Sequence, residues 1–256
     1  MNNLKQRLIK GETVHGCWVN LGSALTAEII GQSGFDWALI DLEHGAGVEK
    51  DVVSQLQALK STGTAAIVRV ESGAPSRISR VMDMGALGVM CPKVNNAIEA
   101  KNIVNGLHYP PFGNRGVAKM VRATEFGKLY NQYYDEAKSH VLCVTQIETK
   151  EALLHLDEIA AVDGVDILFI GPSDLTMELG VFGQFDHPVY LKAVQDIVQA
   201  AHRAGKATGI LIFDANEYKK YHDMGIRFIA CGSDAFFVVT GASAMAKKLN
   251  ELKQQM

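Results

Sequence analysis

Four short runs in this sequence place polar or ionisable side chains at the ends of apolar stretches. Ile40-Asp41-Leu42-Glu43-His44-Gly45 brings two carboxylates and an imidazole together beside a glycine. Histidine titrates near neutral pH, so His44 is a candidate general base, although a His-Gly pair also reads as a hydrogen-bonded turn. Arg69 interrupts the apolar stretch Ala65–Val70. A guanidinium there needs a partner, either a structural carboxylate or an anionic group of a substrate. Gln146-Ile147-Glu148-Thr149 and Gly171-Pro172-Ser173-Asp174-Leu175 close two further apolar runs. The carboxylates Glu148 and Asp174, with no histidine or cysteine cluster of zinc spacing beside them, suit a hard divalent cation with oxygen ligands and several waters. Thr149 and Asp174 could equally cap the helices that follow them, and for Asp174 alone capping is the simpler reading. The Gly-Pro-Ser-Asp turn also frees backbone N–H groups at a helix start, where a carboxylate fits as well as a phosphate.

Other chemistries lack their signatures. A Schiff-base mechanism needs a desolvated lysine, and none of the apolar runs carries one. Lys93, just past Cys91-Pro92, is the nearest and reads as reaching solvent or an anionic substrate tail. Dinucleotide and P-loop fingerprints are absent.

These groups need a scaffold that brings them together. Short apolar runs alternate with amphipathic stretches from end to end, which is the pattern of βα units on a parallel sheet. Strands are predicted at Cys17–Asn20, Trp37–Leu42, Ala65–Val70, Gly88–Cys91, Val141–Gln146, Ile167–Ile170, Ala207–Ile212 and Phe228–Cys231. Between them, stripes such as Val52, Leu56 and Leu59, or Val194, Ile197 and Ala201, have the spacing of helix faces packed on a sheet. Gly34, Gly63, Gly85, Gly164, Gly205 and Gly225 each precede a strand, where a left-handed helix C-cap belongs. The expected fold is a single (β/α)₈ TIM barrel over residues 1–256, whose reactive groups collect at the strand C-termini. A stretch around residues 109–139 is too long for a connection and reads as an inserted loop and helix.

Composition agrees. A chain of 256 residues with 48% hydrophobic residues can bury a sizeable core, which excludes disorder as a whole-chain description. Lysine and arginine total 25 against 28 aspartate and glutamate, a balance that offers no footprint for nucleic acid or an anionic membrane. Cys17, Cys91, Cys143 and Cys231 are widely spaced among apolar neighbours and read as buried reduced thiols. With no apolar run approaching the ~20 residues of a spanning helix, the expected location is cytoplasmic.

Taken in order, the strand ends resemble those of the HpcH/HpaI aldolases, the 2,4-dihydroxyhept-2-ene-1,7-dioate aldolase family of class II pyruvate aldolases. The matching stretches are Gly34-Phe35-Asp36-Trp37 with Ile40–His44, Val68-Arg69, Met82-Asp83 with Gly85-Ala86, Tyr109-Pro110-Pro111 with Gly113–Gly116, Gln146–Thr149, Gly171–Leu175 and Gly209–Ile212. The resemblance implies a hexamer built as a trimer of dimers, with the C-terminal helix crossing to a neighbour. It implies a metal site, with Glu148 and Asp174 holding Mg²⁺, Mn²⁺ or Co²⁺. Arg69 would face the keto oxygen of a 2-oxo acid, and His44, oriented by Asp83, would act as base directly or through a metal-bound water. Gln146, Gly171, Pro172 and Ser173 would position substrate carboxylate and metal waters, with Trp18 and Leu211 as further substrate contacts. The implied reaction is reversible cleavage of a 4-hydroxy-2-oxo acid to pyruvate and an aldehyde through a metal-stabilised pyruvate enolate.

The chemistry of the residues is consistent with this. Cleavage develops negative charge on the keto oxygen, which a cation and a guanidinium stabilise best where water is excluded. Removing the C4 hydroxyl proton suits a histidine of near-neutral pKa. Lys93 and Val117–Arg122 depart from the family pattern and are expected near the aldehyde entry, so the pyruvate half carries over better than the rest. An oxaloacetate-based condensation (citrate-synthase-like) or decarboxylation in the same site is the alternative reaction, and a non-catalytic oxo-acid sensor is the alternative of another class.

Overall fold

The computed structural model describes residues 3–255. Its strands are β1 (Val14–Val19), β2 (Trp37–Asp41), β3 (Ala65–Arg69), β4 (Gly88–Cys91), β5 (Leu142–Ile147), β6 (Ile167–Ile170), β7 (Ala207–Ile212) and β8 (Phe228–Ser233). Each pairs in parallel with the next, and β8 pairs back onto β1, so the sheet closes in sequence order. With helices between the strands this is a (β/α)₈ barrel forming one domain. The six glycines expected to end helices all have positive φ, between 68° and 102°.

Side-chain alternation divides the core into two layers. One parity of each strand faces the barrel interior: Trp18 from β1, Trp37 and Leu39 from β2, Ile67 from β3, Val144 from β5, Phe169 from β6 and Phe228 from β8 pack as one cluster. The other parity, including Val19, Ala38, Ile40, Val68, Cys91 and Cys143, packs beneath the surrounding helices. Trp37 stacks on Phe228 with ring centroids 3.8 Å apart. That plug needs Gly16, since a Cβ there would lie 2.0 Å from the Trp37 ring.

The same alternation continues past the apolar layer and changes character. After Leu39 the next inward position is Asp41; after Ile67 it is Arg69; after Val144 come Gln146 and then Glu148. All four polar residues are buried. The barrel therefore stacks an apolar floor under a polar layer at its C-terminal end, where the connecting loops converge.

The inserted stretch lies at the other end. It joins the helix Ala97–Leu107 to the start of β5 and contains a 3₁₀ turn (Arg122–Thr124) and a helix (Tyr130–His140). Arg115, wholly buried, anchors it by donating to Asp83 Oδ1 (2.6 Å) and Tyr133 Oη (3.2 Å) while packing 4.7 Å from the Tyr109 ring centroid. Arg122 Nη1 donates to the Met84 carbonyl (2.7 Å). Two expectations are corrected here. Val117–Arg122 does not flank the strand C-termini of its own chain, because a connection from helix to strand runs under the barrel. Within its own chain Asp83 is not brought to His44, because it ends the helix Pro75–Asp83, which runs antiparallel to the strands and finishes at their N-terminal end.

The four cysteines are free thiols; Cys17, Cys91 and Cys143 are buried and Cys231 is half-buried. Burial pushes the Cys17 thiol up to about 12, which keeps it protonated and unreactive. Among the described residues no helix is long and apolar enough to cross a membrane.

Candidate active site

Asp41 and Arg69 are register neighbours on β2 and β3, and their inward side chains meet at the C-terminal rim. Arg69 forks onto the carboxylate, Nε to Oδ1 at 2.9 Å and Nη2 to Oδ2 at 2.8 Å, while Nη1 donates to Glu43 Oε2 at 2.9 Å. A guanidinium has five N–H donors, so this planar clamp fixes its orientation and leaves two donors free of these partners. Its carbon lies over the Trp18 ring, 5.9 Å from the centroid. Both readings of Arg69 thus coexist: it is a buried ion-pair member with donors to spare.

Asp41 organises more than the arginine. Its Oδ1 also accepts the backbone N–H of Glu43 (3.0 Å) and His44 (3.3 Å), and Oδ2 accepts Asn20 Nδ2 (2.8 Å). The turn carrying His44 is therefore wrapped on the carboxylate that holds Arg69. The His44 side chain is exposed (68%), with Nε2 3.9 Å from Glu43 Oε1. Burial raises the Glu43 carboxyl, while the nearby Arg69 charge opposes that rise.

Glu148 stands across the barrel mouth. Its Oε1 accepts the Lys93 backbone N–H (2.9 Å) and Oε2 accepts Gln146 Nε2 (3.0 Å). Lys93 adopts a left-handed backbone (φ 52°), while its side chain is exposed. Gly171 at the end of β6 makes room for this carboxylate: a Cβ there would sit 2.1 Å from Glu148 Oε2. Burial, reinforced by the Asp174 charge, pushes Glu148 up to about 7.

Two observations bear on the capping reading. Thr149 caps the helix Lys150–Leu154, accepting the Ala152 N–H at 3.0 Å. Asp174 caps nothing: the helix Pro172–Glu178 begins after Gly171 without a side-chain cap, and Asp174 stands exposed in its first turn. Its charge acts on both Glu148 and Glu43, which places it beside the same cluster. Gln146 is buried, and its Oε1 has no hydrogen-bond partner.

The donor set fits a hard divalent cation. It consists of two carboxylates that repel each other and a buried amide oxygen without a donor, all oxygen, at an opening where substrate and water can complete the shell. Among the described residues no group of three or more histidine, cysteine, aspartate or glutamate side chains forms a closed metal cage. An open two-carboxylate site is the type that leaves positions for a chelating ligand.

The remaining predicted residues line the same end. Trp18 is buried beneath Arg69, 5.5 Å from Phe169 between ring centroids. Pro172 is buried; Leu211 on β7 is half-buried against the interior cluster. Ser173 and Asp174 lie in the first helical turn, where backbone N–H groups have no intrahelical acceptor. Asn20 was not singled out by motif, and Asp41 was noted only as a carboxylate of the His44 run, without its role as the clamp of Arg69. Alternation could have found Asp41, two residues beyond the inward Leu39.

A model of the HpcH/HpaI aldolase/citrate lyase family matches residues 15–240. The hydroxypyruvate/pyruvate aldolase of Roseobacter denitrificans is 40% identical over 249 residues, covering 96% of this chain and 97% of that protein. The 4-hydroxy-2-oxo-heptane-1,7-dioate aldolase of Klebsiella pneumoniae is 38% identical over 250 residues, covering 97% and 94%. In three dimensions the citrate synthase SbnG superposes with a TM-score of 0.89 at 26% identity, over 99% of this chain and 100% of that one.

Proposed function

This chain belongs to the HpcH/HpaI aldolase/citrate lyase family, and from that premise we propose that it is a divalent-metal-dependent aldolase that reversibly cleaves a 4-hydroxy-2-oxo acid to pyruvate and an aldehyde. Its named relatives are aldolases, and the chain is accordingly a carbon–carbon lyase. The observation that carries the mechanism is the convergence, in one polar layer, of the clamped Arg69, the buried Glu148 and the unpartnered Gln146 Oε1, with the exposed Asp174 in the helix turn that follows β6.

Glu148 and Asp174 would hold the cation, Mg²⁺, Mn²⁺ or Co²⁺. When bound, such a cation supplies a Lewis acid for the 2-oxo group and lowers the pKa of coordinated water. The protein's own residues do the rest. His44 takes the C4 hydroxyl proton as the C3–C4 bond breaks and the aldehyde forms, and the electron pair moves onto the C2 oxygen as the enolate of pyruvate. Arg69 directs its free N–H donors at that oxygen, already oriented by Asp41 and Glu43, so no reorganisation is needed as charge develops. The first-turn N–H groups of Ser173 and Asp174 receive the substrate carboxylate. Trp18, Pro172 and Leu211 supply an apolar wall that limits water. The protonated His44 then returns its proton to the enolate at C3, which gives pyruvate and restores the base.

A panel of sugar-acid-derived and dioic 4-hydroxy-2-oxo acids, assayed for pyruvate, tests the reading. Pyruvate release that is lost on chelation and restored by added Mg²⁺ or Mn²⁺ is the expected result. Full activity after verified metal removal contradicts it. The likeness to a citrate synthase supports a second reading, condensation of oxaloacetate with acetyl-CoA in the same site. Thiol release from that substrate pair, with a silent aldol panel, would select it.

We also propose a homo-oligomer assembled through the helix Asp234–Gln254, as in the hexamer expected from the resemblance. Phe236, Val238, Val239, Met245 and Leu249 are large apolar side chains exposed along it, more than solvent contact accounts for. Replacing Val239 and Met245 together by lysine is expected to convert the assembly to a smaller species in light scattering. An unchanged mass would remove this helix from the interface.

A further inference from the structure

Asp234 is a buried carboxylate, 3% exposed, with no ion pair among the described residues. Neutral donors satisfy it instead. Oδ1 accepts the backbone N–H of Asn20 (2.7 Å) and Ala235 (2.8 Å), and Oδ2 accepts Thr26 Oγ1 (2.6 Å) and the Leu21 N–H (3.3 Å). The first residue of the C-terminal helix is thereby bound to the loop that leaves β1.

Asn20 passes the constraint on in two directions. Its carbonyl accepts the Ala46 N–H (2.7 Å), two residues past His44, and its Nδ2 donates to Asp41 Oδ2 (2.8 Å). Asp41 in turn clamps Arg69 and accepts the His44 N–H. Gly45 is packed tightly between the two: a Cβ there would lie 2.2 Å from the Asp41 carbonyl and 3.2 Å from that of Asn20. One asparagine therefore touches the supports of both the base and the guanidinium, while facing neither's reacting atoms.

We infer that Asn20, seated by Asp234, is a positioning residue that sets the orientation of Arg69 and His44 together. The side-chain type matters. Asp41 already accepts from Arg69 and from the Glu43 and His44 N–H groups, and the amide of Asn20 adds a neutral donor that does not compete with Arg69 for its charge. The inference rests on the proposed roles of Arg69 and His44.

Asn20→Ala keeps every backbone bond and deletes only the Nδ2 link. The test compares it with Arg69→Lys and with the double variant in metal-loaded enzyme, following pyruvate release, KM and thermal unfolding. The expected result is a loss of kcat of roughly 10- to 100-fold in Asn20→Ala, the scale of a small misplacement, with KM changed by less than about threefold. The double variant is expected to lose less than the product of the two single losses, because the share of the Asn20 effect that acts through Arg69 is already gone. Asn20→Ala at wild-type rate, with Arg69→Lys impaired, overturns the inference and leaves the aldolase reading standing. Losses that multiply also overturn it. Wild-type activity of Arg69→Lys overturns the proposed role of Arg69 and this inference with it. Should Asn20→Ala unfold, Thr26→Val, which loosens Asp234 without touching Asn20, has to lower kcat in the same KM-neutral way, and an unchanged kcat overturns the inference.

Discussion

Glu148→Ala is expected to lose pyruvate-forming activity by roughly 10³-fold or more, and excess Mg²⁺ or Mn²⁺ is not expected to restore it. Several kcal/mol of stabilisation of the developing oxyanion depend on a cation held at the right place, and each ~1.4 kcal/mol is tenfold in rate. Removing one of two protein ligands removes that placement. Two further variants separate charge from shape. Glu148→Gln can still accept the Lys93 N–H, but it loses the charge that pairs with a cation. Gly171→Ala leaves every ionisable group in place and drives a methyl toward Glu148 Oε2, where a Cβ would lie at 2.1 Å. Both are expected to weaken Mn²⁺ binding, read by calorimetry, in parallel with activity. Retained binding in Glu148→Gln would mean that Glu148 is not a ligand.

The second large effect is at Arg69. Arg69→Ala removes a transition-state donor, a loss of about 10²- to 10³-fold in kcat on the scale of other oxyanion donors. It also strips the positive partner from Asp41 and Glu43, and an unpaired buried carboxylate costs about 3–5 kcal/mol. Reduced stability and reduced turnover would then be confounded. Arg69→Lys separates them: the ammonium neutralises the carboxylates but cannot fork across Asp41 while presenting donors to substrate. The expected outcome is a folded enzyme with an unfolding midpoint near that of the wild type and kcat lowered by roughly 10²-fold. A Lys variant that is fully active would make the arginine a structural counter-ion only.

Much of this site was legible in the sequence because parallel barrels collect chemistry at one end. His44, Arg69, Gln146, Glu148 and Asp174 each follow an apolar run, and strand closure alone brings them to one rim. The residues that were not legible are those whose partners are remote in sequence. Asp234 grips Asn20, which lies more than two hundred positions earlier, across the junction of β8 with β1. Nothing local to Asn20 or Asp234 signals that contact. Asp83 lies apart from His44 within its own chain for a different reason. Its motif is intact, but a nine-residue helix runs from rim to base before reaching it, and there it meets Arg115 rather than His44. Val117–Arg122 is misplaced by the same geometry, since both follow a helix and precede a strand. Asp174 shows the converse. A helix-start aspartate reads as a cap, yet its helix has no side-chain cap and its charge falls on Glu148 instead.

The most direct test of the central claim is the exchange of pyruvate methyl protons with deuterated solvent, followed by proton NMR, because it isolates enolate formation from the choice of aldehyde. The wild-type chain is predicted to exchange these protons rapidly with Mg²⁺ or Mn²⁺ present and at background rate after chelation. His44→Ala is predicted to slow the metal-supported exchange by about 10²-fold or more, the scale of a positioned general base. Exchange that persists undiminished in His44→Ala or in verified metal-free enzyme would contradict the account.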